Sequence, residues 1–94
     1  FGVSWVSGVG SNPFQHPHHR PTAACSGGRV WPGLISGGPN AGKQDPAMRK
    51  IPANTPPALC WVDDQESYAG NEVAINWNAP LVFVLSATLP TGSK

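Results

Sequence analysis

Glycine and proline interrupt the chain every few residues between positions 11 and 57, and this pattern limits how much regular structure it can form. Each of the two contributes 11 of the 94 residues, so together they are about twice as frequent as in an average protein. Glycine permits positive φ, whereas proline fixes φ and has no backbone N–H to donate. We therefore predict long ordered loops over most of the chain, with at most a helical turn near residues 46–50 and an extended segment at residues 3–6.

The last third contains the one long apolar run, LVFVL at residues 81–85. Pro80 is compatible with a first helical turn, and Asn78 can cap such a start. We predict a C-terminal helix that ends near Leu89 and, because it is apolar nearly all round, is buried on most sides. The sequence offers no second apolar element to cover it. We therefore interpret the chain as part of a larger fold, with residues 90–94 as a polar tail or linker.

The net charge of +1 excludes a strong electrostatic attraction to nucleic acid or to an anionic membrane. The first 50 residues carry five basic groups and one acid, whereas the remainder carries four acids and one lysine. This distribution favours an acidic site that meets a neutral or polar partner. We find no leader peptide or transmembrane run, and because the sequence starts at Phe1 we expect the natural amino terminus to lie upstream.

Two cysteines, Cys25 and Cys60, are present. They permit one disulfide, but two buried thiols are equally compatible with the sequence, and neither residue has a CxxC metal-binding spacing. The sequence therefore leaves the redox compartment open.

All three histidines lie in one short stretch, QHPHHR at residues 15–20. His16 and His18 have a spacing that occurs in zinc sites, but the positive guanidinium of Arg20 would repel a metal ion there. An arginine beside imidazoles instead suits hydrogen bonding to a hydroxyl-rich ligand or a carboxylate. A metal site, a solvated loop and a polar wall for a substrate all stay open, and the last of these is favoured.

Two acids lie among aromatic residues in WVDDQESYAGNEVAINWNAP, residues 61–80. Aromatic faces stack on sugar rings, and a desolvated carboxyl group beside them favours the protonated form that a general acid needs. An alternative interpretation is that Glu72 is only a carboxylate favoured near a helix start. The residues themselves do not separate these two interpretations. The acids are Asp63 and Glu72, and the aromatic residues are Trp61, Tyr68 and Trp77.

Two long motifs resemble a known family. SWVSGVGSNPFQHPHHR (residues 4–20) resembles the histidine signature of glycoside hydrolase family 9, and WVDDQESYAGNEVAINWNA (61–79) resembles the second signature of that family. The intervening GLISGGPNAGKQDP (33–46) is similar to bacterial members. The resemblance implies an all-α fold, in which residues 1–89 form the C-terminal portion of an (α/α)6 barrel.

The same resemblance implies roles for individual residues. Glu72 matches the general acid that protonates the glycosidic oxygen, and His18 and Arg20 match residues that bind the sugar beside the scissile bond. Asp63 matches the signature aspartate, which we expect to organise the catalytic site through hydrogen bonds. Substrate-lining positions are then expected at His16, Tyr68 and Trp77, with Trp77 standing where some relatives carry a tyrosine; His19 is expected to line the site or to be structural.

Family members invert the anomeric centre with a base aspartate from an Asp-Ala-Gly-Asp motif, and no such string occurs here. Inversion needs an acid and a base about 6.5–9.5 Å apart with water between them. The resemblance therefore implies that this chain supplies the acid half of a secreted, inverting endo-β-1,4-glucanase acting on cellulose or another β-1,4-glucan. It implies no cofactor in this segment and the N-terminal part of the complete domain as the partner, and it leaves open whether calcium is bound elsewhere in that domain.

Three alternatives to an endoglucanase are compatible with the sequence. An exo-acting cellobiohydrolase shares these motifs, since the shape of the cleft sets the mode of attack. A non-catalytic carbohydrate-binding fragment would also show tryptophans among polar loops, but it would not need the acid and histidine motifs together. A zinc-binding loop would use His16 and His18.

Overall fold

The computed structural model describes residues 2–25, 27, 29–90 and 92, and for Cys25 only the backbone. The candidate Cys25–Cys60 disulfide and most of the predicted tail therefore lie outside the described residues. Cys60 itself is a buried free thiol, and its Sγ lies 3.4 Å from the carbonyl oxygen of Pro56.

Two α-helices and two short 3₁₀ turns are the regular elements among the described residues. Helix α1 spans Arg20–Cys25, and helix α2 spans Ile75–Thr88. The 3₁₀ turns span Met48–Lys50 and Pro57–Leu59. The predicted helical turn near residues 46–50 is confirmed. Helix α1 was not predicted, because Pro21 was interpreted as part of a loop although proline also fits the first turn of a helix.

Helix α2 begins earlier than predicted. Its N-cap residue is Ala74, which makes no side-chain capping bond, so the expectation that Asn78 caps the helix is wrong. Asn78 instead lies in the first turn, where its Oδ1 accepts the Ile35 N–H at 3.0 Å and its Nδ2 donates to the Ala74 carbonyl at 2.8 Å. Its amide therefore fastens the helix start to a neighbouring loop, and Pro80 follows inside the helix.

Helix α2 is uncovered in this chain; its predicted burial depends on neighbours from outside the chain and stays a prediction. No residue of α2 is buried, and five of its large apolar side chains are between 54% and 86% exposed, namely Ile75, Val82, Phe83, Val84 and Leu85. The physical reason is that no other element among the described residues packs over it. Neither α1 nor α2 is long and apolar enough to cross a membrane.

Isolated main-chain bridges hold the described loops together. Ser4 pairs with Pro13, Val6 with Ile35, Ser36 with Val73, and His18 with Glu72. Backbone bonds therefore place four parts of the chain side by side: residues 4–6, 35–37, 71–73 and 18. Two of the bridges come from the predicted extended segment at residues 3–6. The buried core beneath these loops is small and consists of Phe14, Ala47, Met48, Cys60 and Trp61. The described fold is thus helix and irregular loop.

Candidate active site

His18 and Glu72 are brought together by their main chains. The His18 N–H donates to the Asn71 carbonyl at 2.9 Å, and the His18 carbonyl accepts the Val73 N–H at 3.4 Å. This parallel bridge places His18 directly beside Glu72, at the spacing of about 4.8 Å between neighbouring extended segments. Because bridge partners project their side chains from the same face of the pair, the imidazole and the carboxyl group lie on one side of it.

The other edge of the Glu72 segment is also tied down. The Glu72 carbonyl accepts the Gly37 N–H at 3.0 Å, and the Gly70 carbonyl accepts the Gly38 N–H at 2.8 Å. The backbone around Glu72 is therefore held from both sides, whereas its partly exposed carboxyl group makes no hydrogen bond to the described residues. A fixed backbone with an unengaged carboxyl group is what proton donation to a ligand requires.

The imidazole of His18 is oriented by a neighbouring carbonyl. Its Nδ1 lies 2.7 Å from the carbonyl oxygen of Gln65, and because a carbonyl only accepts, Nδ1 carries the proton. In the neutral ring Nε2 is then an acceptor, able to take a hydrogen bond from a hydroxyl group. The edge of Tyr68 faces the same ring, with 6.2 Å between the ring centroids. Tyr68 is 49% exposed, so its ring also has a surface available to a ligand.

The carboxylate of Asp63 holds the histidine loop, residues 15–19, in place. Its Oδ2 accepts the Gln15 N–H at 2.7 Å, and its Oδ1 accepts the His16 N–H at 2.8 Å. Oδ1 also receives the Asn71 Nδ2 at 3.2 Å. Both oxygens of Asp63 are thus engaged by donors of the protein, which is an arrangement for positioning a loop.

His19 and Arg20 lie at the start of α1, next to a concave surface of about 680 Å³. His19 contacts the helix itself, since its Nδ1 lies 2.7 Å from the Thr22 Oγ1. Its ring also makes a T-shaped contact with Trp31. Arg20 is exposed. The concave surface is lined by His18, His19, Arg20, Ala23, Ala24, Gln65 and Glu66.

The remaining predicted residues lie further apart. Trp77 packs against Gly37, where an added Cβ would come within 2.9 Å of the ring atom Cη2. His16 is exposed and lines a smaller depression together with Pro17 and Gln65. Trp61, one of the aromatic residues considered for sugar stacking, is only 8% exposed. Its ring centroid lies 6.3 Å from that of Trp5, so Trp61 belongs to the core.

No group of three histidine, cysteine, aspartate or glutamate side chains is placed to hold a metal ion in the part of the chain that the structure describes. The imidazoles of His18 and His19 are directed to different partners, Gln65 and Thr22.

Sequence reasoning missed two buried polar residues that organise the site. Asp45 is fully buried, and its carboxylate accepts hydrogen bonds from the Met48 N–H, the Ser67 hydroxyl and the Ala69 N–H. Asn71, also fully buried, joins the loops that carry His16 and Asp63. Both residues lie in stretches rich in turn-forming residues, where Asp and Asn are common for local reasons, so the sequence held no signal for their burial.

Comparisons with known proteins find relatives that match most of this chain. The sequence model of the family described as Glycosyl hydrolase family 9 matches residues 1–85. A cellodextrinase from Butyrivibrio fibrisolvens is 44% identical over 93% of this chain and 16% of its own length. A cellulose 1,4-β-cellobiosidase from Acetivibrio thermocellus is 39% identical over 86% of this chain and 10% of its own length.

A solved structure is similar as well. The crystal structure of a single mutant of a thermostable endoglucanase from Alicyclobacillus acidocaldarius matches with a TM-score of 0.83 and 44% identity, covering 93% of this chain and 16% of that one. The chain therefore spans about one sixth or less of the length of these proteins. On the family match and these identities, the chain belongs to glycosyl hydrolase family 9.

Proposed function

We propose that this chain is the acid-donating segment of an inverting endo-β-1,4-glucanase that hydrolyses cellulose or a related β-1,4-glucan. The observation that carries the proposal is the main-chain pairing of His18 with Glu72. It places a carboxyl group without hydrogen-bond partners among the described residues beside an imidazole whose Nε2 is available to a hydroxyl group.

Glu72 is the general acid in this mechanism. It donates its proton to the glycosidic oxygen as the bond to the anomeric carbon breaks, so that the departing sugar leaves as an alcohol. His18 and Arg20 bind the sugar beside that bond and hold it as the ring distorts toward an oxocarbenium-like state. Asp63 positions the histidine loop through its bonds to Gln15 and His16, and His16, Tyr68 and Trp77 line the bound glucan.

The catalytic base is supplied by the remainder of the domain. Of the acids in the chain, Asp45 is buried and fully engaged, and Asp63 is engaged at both oxygens. Asp64 accepts the Glu66 N–H within its own turn, and we propose that the water-activating aspartate, about 6.5–9.5 Å from Glu72, comes from outside this chain. The exposed apolar surface of α2 gives the remainder of the domain a place to pack, which supports an (α/α)6 barrel that residues 1–89 help to complete. Any calcium that the enzyme binds is held elsewhere in the domain. We also propose, from the family membership, that the enzyme is secreted.

The stereochemistry of hydrolysis tests this proposal. The complete enzyme that carries this chain should release product whose new reducing end is first the α-anomer, because inversion reverses the β-configuration of the substrate. Proton NMR of cellohexaose hydrolysis, recorded before mutarotation, measures this directly. A β-anomer formed first would contradict an inverting mechanism, and the absence of any hydrolysis of β-1,4-glucans would contradict the proposed function.

An exo-acting cellobiohydrolase is the second candidate, and the similarity to the cellobiosidase from Acetivibrio thermocellus favours it. Endo attack lowers the viscosity of carboxymethylcellulose steeply for each reducing end formed. Exo attack releases cellobiose with little change in viscosity. A plot of viscosity against reducing ends therefore separates the two modes of attack.

A further inference from the structure

We infer that Asn71 is a positioning residue that sets the location of Glu72 relative to the sugar-binding histidine loop. The inference rests on the proposed function, since it assigns a task to Asn71 in that reaction. Asn71 directly precedes Glu72 in the chain, and its side chain is fully buried.

The side-chain contacts of Asn71 lie at its donor end. Nδ2 donates to the His16 carbonyl at 2.7 Å and to the Asp63 Oδ1 at 3.2 Å. These two bonds use both of its N–H groups; the carbonyl of Asp64 is 3.5 Å away, beyond the usual range of a good bond. The Oδ1 atom is buried without a partner among the described residues. The amide therefore acts as a double donor that joins two loops.

The backbone of Asn71 completes the connection. Its carbonyl accepts the His18 N–H at 2.9 Å, and its N–H donates to the Ser67 carbonyl at 2.9 Å. One residue thus bonds to the histidine loop at His16 and at His18, and to the segment that leads into Glu72. A change in its side chain should shift the carboxyl group relative to the sugar that His18 and Arg20 hold.

Asn40 provides a matched control for this amide. Its Nδ2 donates to the Ala69 carbonyl at 3.1 Å, and its Oδ1 accepts the Gly42 N–H at 2.8 Å. It therefore also makes two side-chain hydrogen bonds, and neither partner belongs to the histidine loop or is Asp63. Loss of the Asn40 amide should reduce stability without moving Glu72 relative to His18.

The test compares Asn71→Ala and Asn40→Ala in the complete enzyme on two substrates, cellohexaose and an aryl cellobioside with a good leaving group. A loss of folded protein lowers the apparent kcat on both substrates equally, whereas a displaced acid affects mainly the substrate that needs protonation. We expect Asn71→Ala to lower kcat on cellohexaose about 10–100-fold. The reduction of kcat on the aryl cellobioside should be several times smaller. Asn40→Ala should leave the ratio of the two activities unchanged.

Two further variants test whether the N–H donors of the Asn71 side chain are what positions Glu72. Asn71→Asp has the same shape but no donors, so we expect a loss at least as large as that of Asn71→Ala; Asn71→Ser keeps one donor and should show a smaller change in the same ratio. Wild-type activity in Asn71→Asp, or an unchanged ratio in Asn71→Ala, would overturn the inference. It would also be overturned if no Asn71 variant folds while Asn40→Ala does. Failure of the proposed function is distinguishable, because the wild-type enzyme would then lack hydrolysis or the leaving-group effect of Glu72→Gln.

Discussion

His18 and Glu72 lie side by side through a parallel main-chain bridge, although they are far apart along the chain. The bridge is made of backbone bonds, so the relative position of the two residues does not depend on their own side chains. Either side chain can therefore be replaced while the backbone arrangement is retained. This property makes the site suitable for testing by single substitutions in the complete enzyme.

The two adjacent histidines should respond differently to alanine. His18→Ala removes an imidazole oriented by the Gln65 carbonyl, so we expect turnover to fall by at least about tenfold with little change in stability. His19→Ala removes a contact with Thr22 and Trp31, so it should lower the thermal midpoint more and turnover less. Steady-state kinetics and thermal melts of both variants give this comparison. Equal and mild losses in turnover would support a solvated loop instead.

Asp63 should behave as a positioning residue. In Asp63→Asn, one amide nitrogen replaces an acceptor of the Gln15 or His16 N–H, so that one donor then faces another. The free energy of unfolding should fall by about 1–3 kcal/mol, and KM should rise because the histidine loop is loosened. Asp64→Asn is the control, since the Asp64 side chain accepts the exposed Glu66 N–H within its own turn. If Asp63→Asn keeps its stability but loses the alkaline limb of the pH profile, Asp63 is the proton donor.

Gly70 lies in a tight position two residues before Glu72. An added Cβ would approach the Met48 Sδ to 3.1 Å, and it would lie 3.3 Å from both the Gly38 carbonyl oxygen and the Trp61 Cδ1. We expect Gly70→Ala to lower the free energy of unfolding by about 1–3 kcal/mol through overpacking. Denaturant titration measures this change. Gly92→Ala, where nothing lies within 4 Å, should be nearly neutral, and equal effects of both changes would contradict the packing described around Gly70.

The residues of the candidate site could be proposed from sequence only where they lie in continuous motifs. The histidine loop and the acidic motif are each continuous in the chain, so their residue types could be identified from the sequence alone. Their pairing could not, because the bridge between His18 and Glu72 is a long-range contact without a periodic pattern. Asn71 was missed for a related reason, since an asparagine in a turn-rich stretch usually serves its own backbone.

The fold was predictable in outline and not in its boundaries. The apolar run at residues 81–85 indicated helix α2, but its start was misplaced because the side chain of Asn78 bonds to Ile35 rather than capping. The predicted burial of α2 stays a prediction, because burial depends on neighbours that lie outside this chain. Its exposed Val82 and Phe83 agree with the interpretation that further elements cover it.

Glu72→Gln in the complete enzyme tests the central claim most directly. Glutamine keeps the shape of the side chain but cannot give a proton to the leaving oxygen, and such proton transfer contributes about 10²–10⁴-fold in rate. We expect the variant to lose most of its activity on cellohexaose and a much smaller part of its activity on an aryl cellobioside. The alkaline limb of its pH profile should also flatten. Glu66→Gln, the same change on an exposed acid of the same motif, should not alter the ratio of the two activities. Equal loss on both substrates with the alkaline limb intact would contradict the assignment of Glu72 as the general acid.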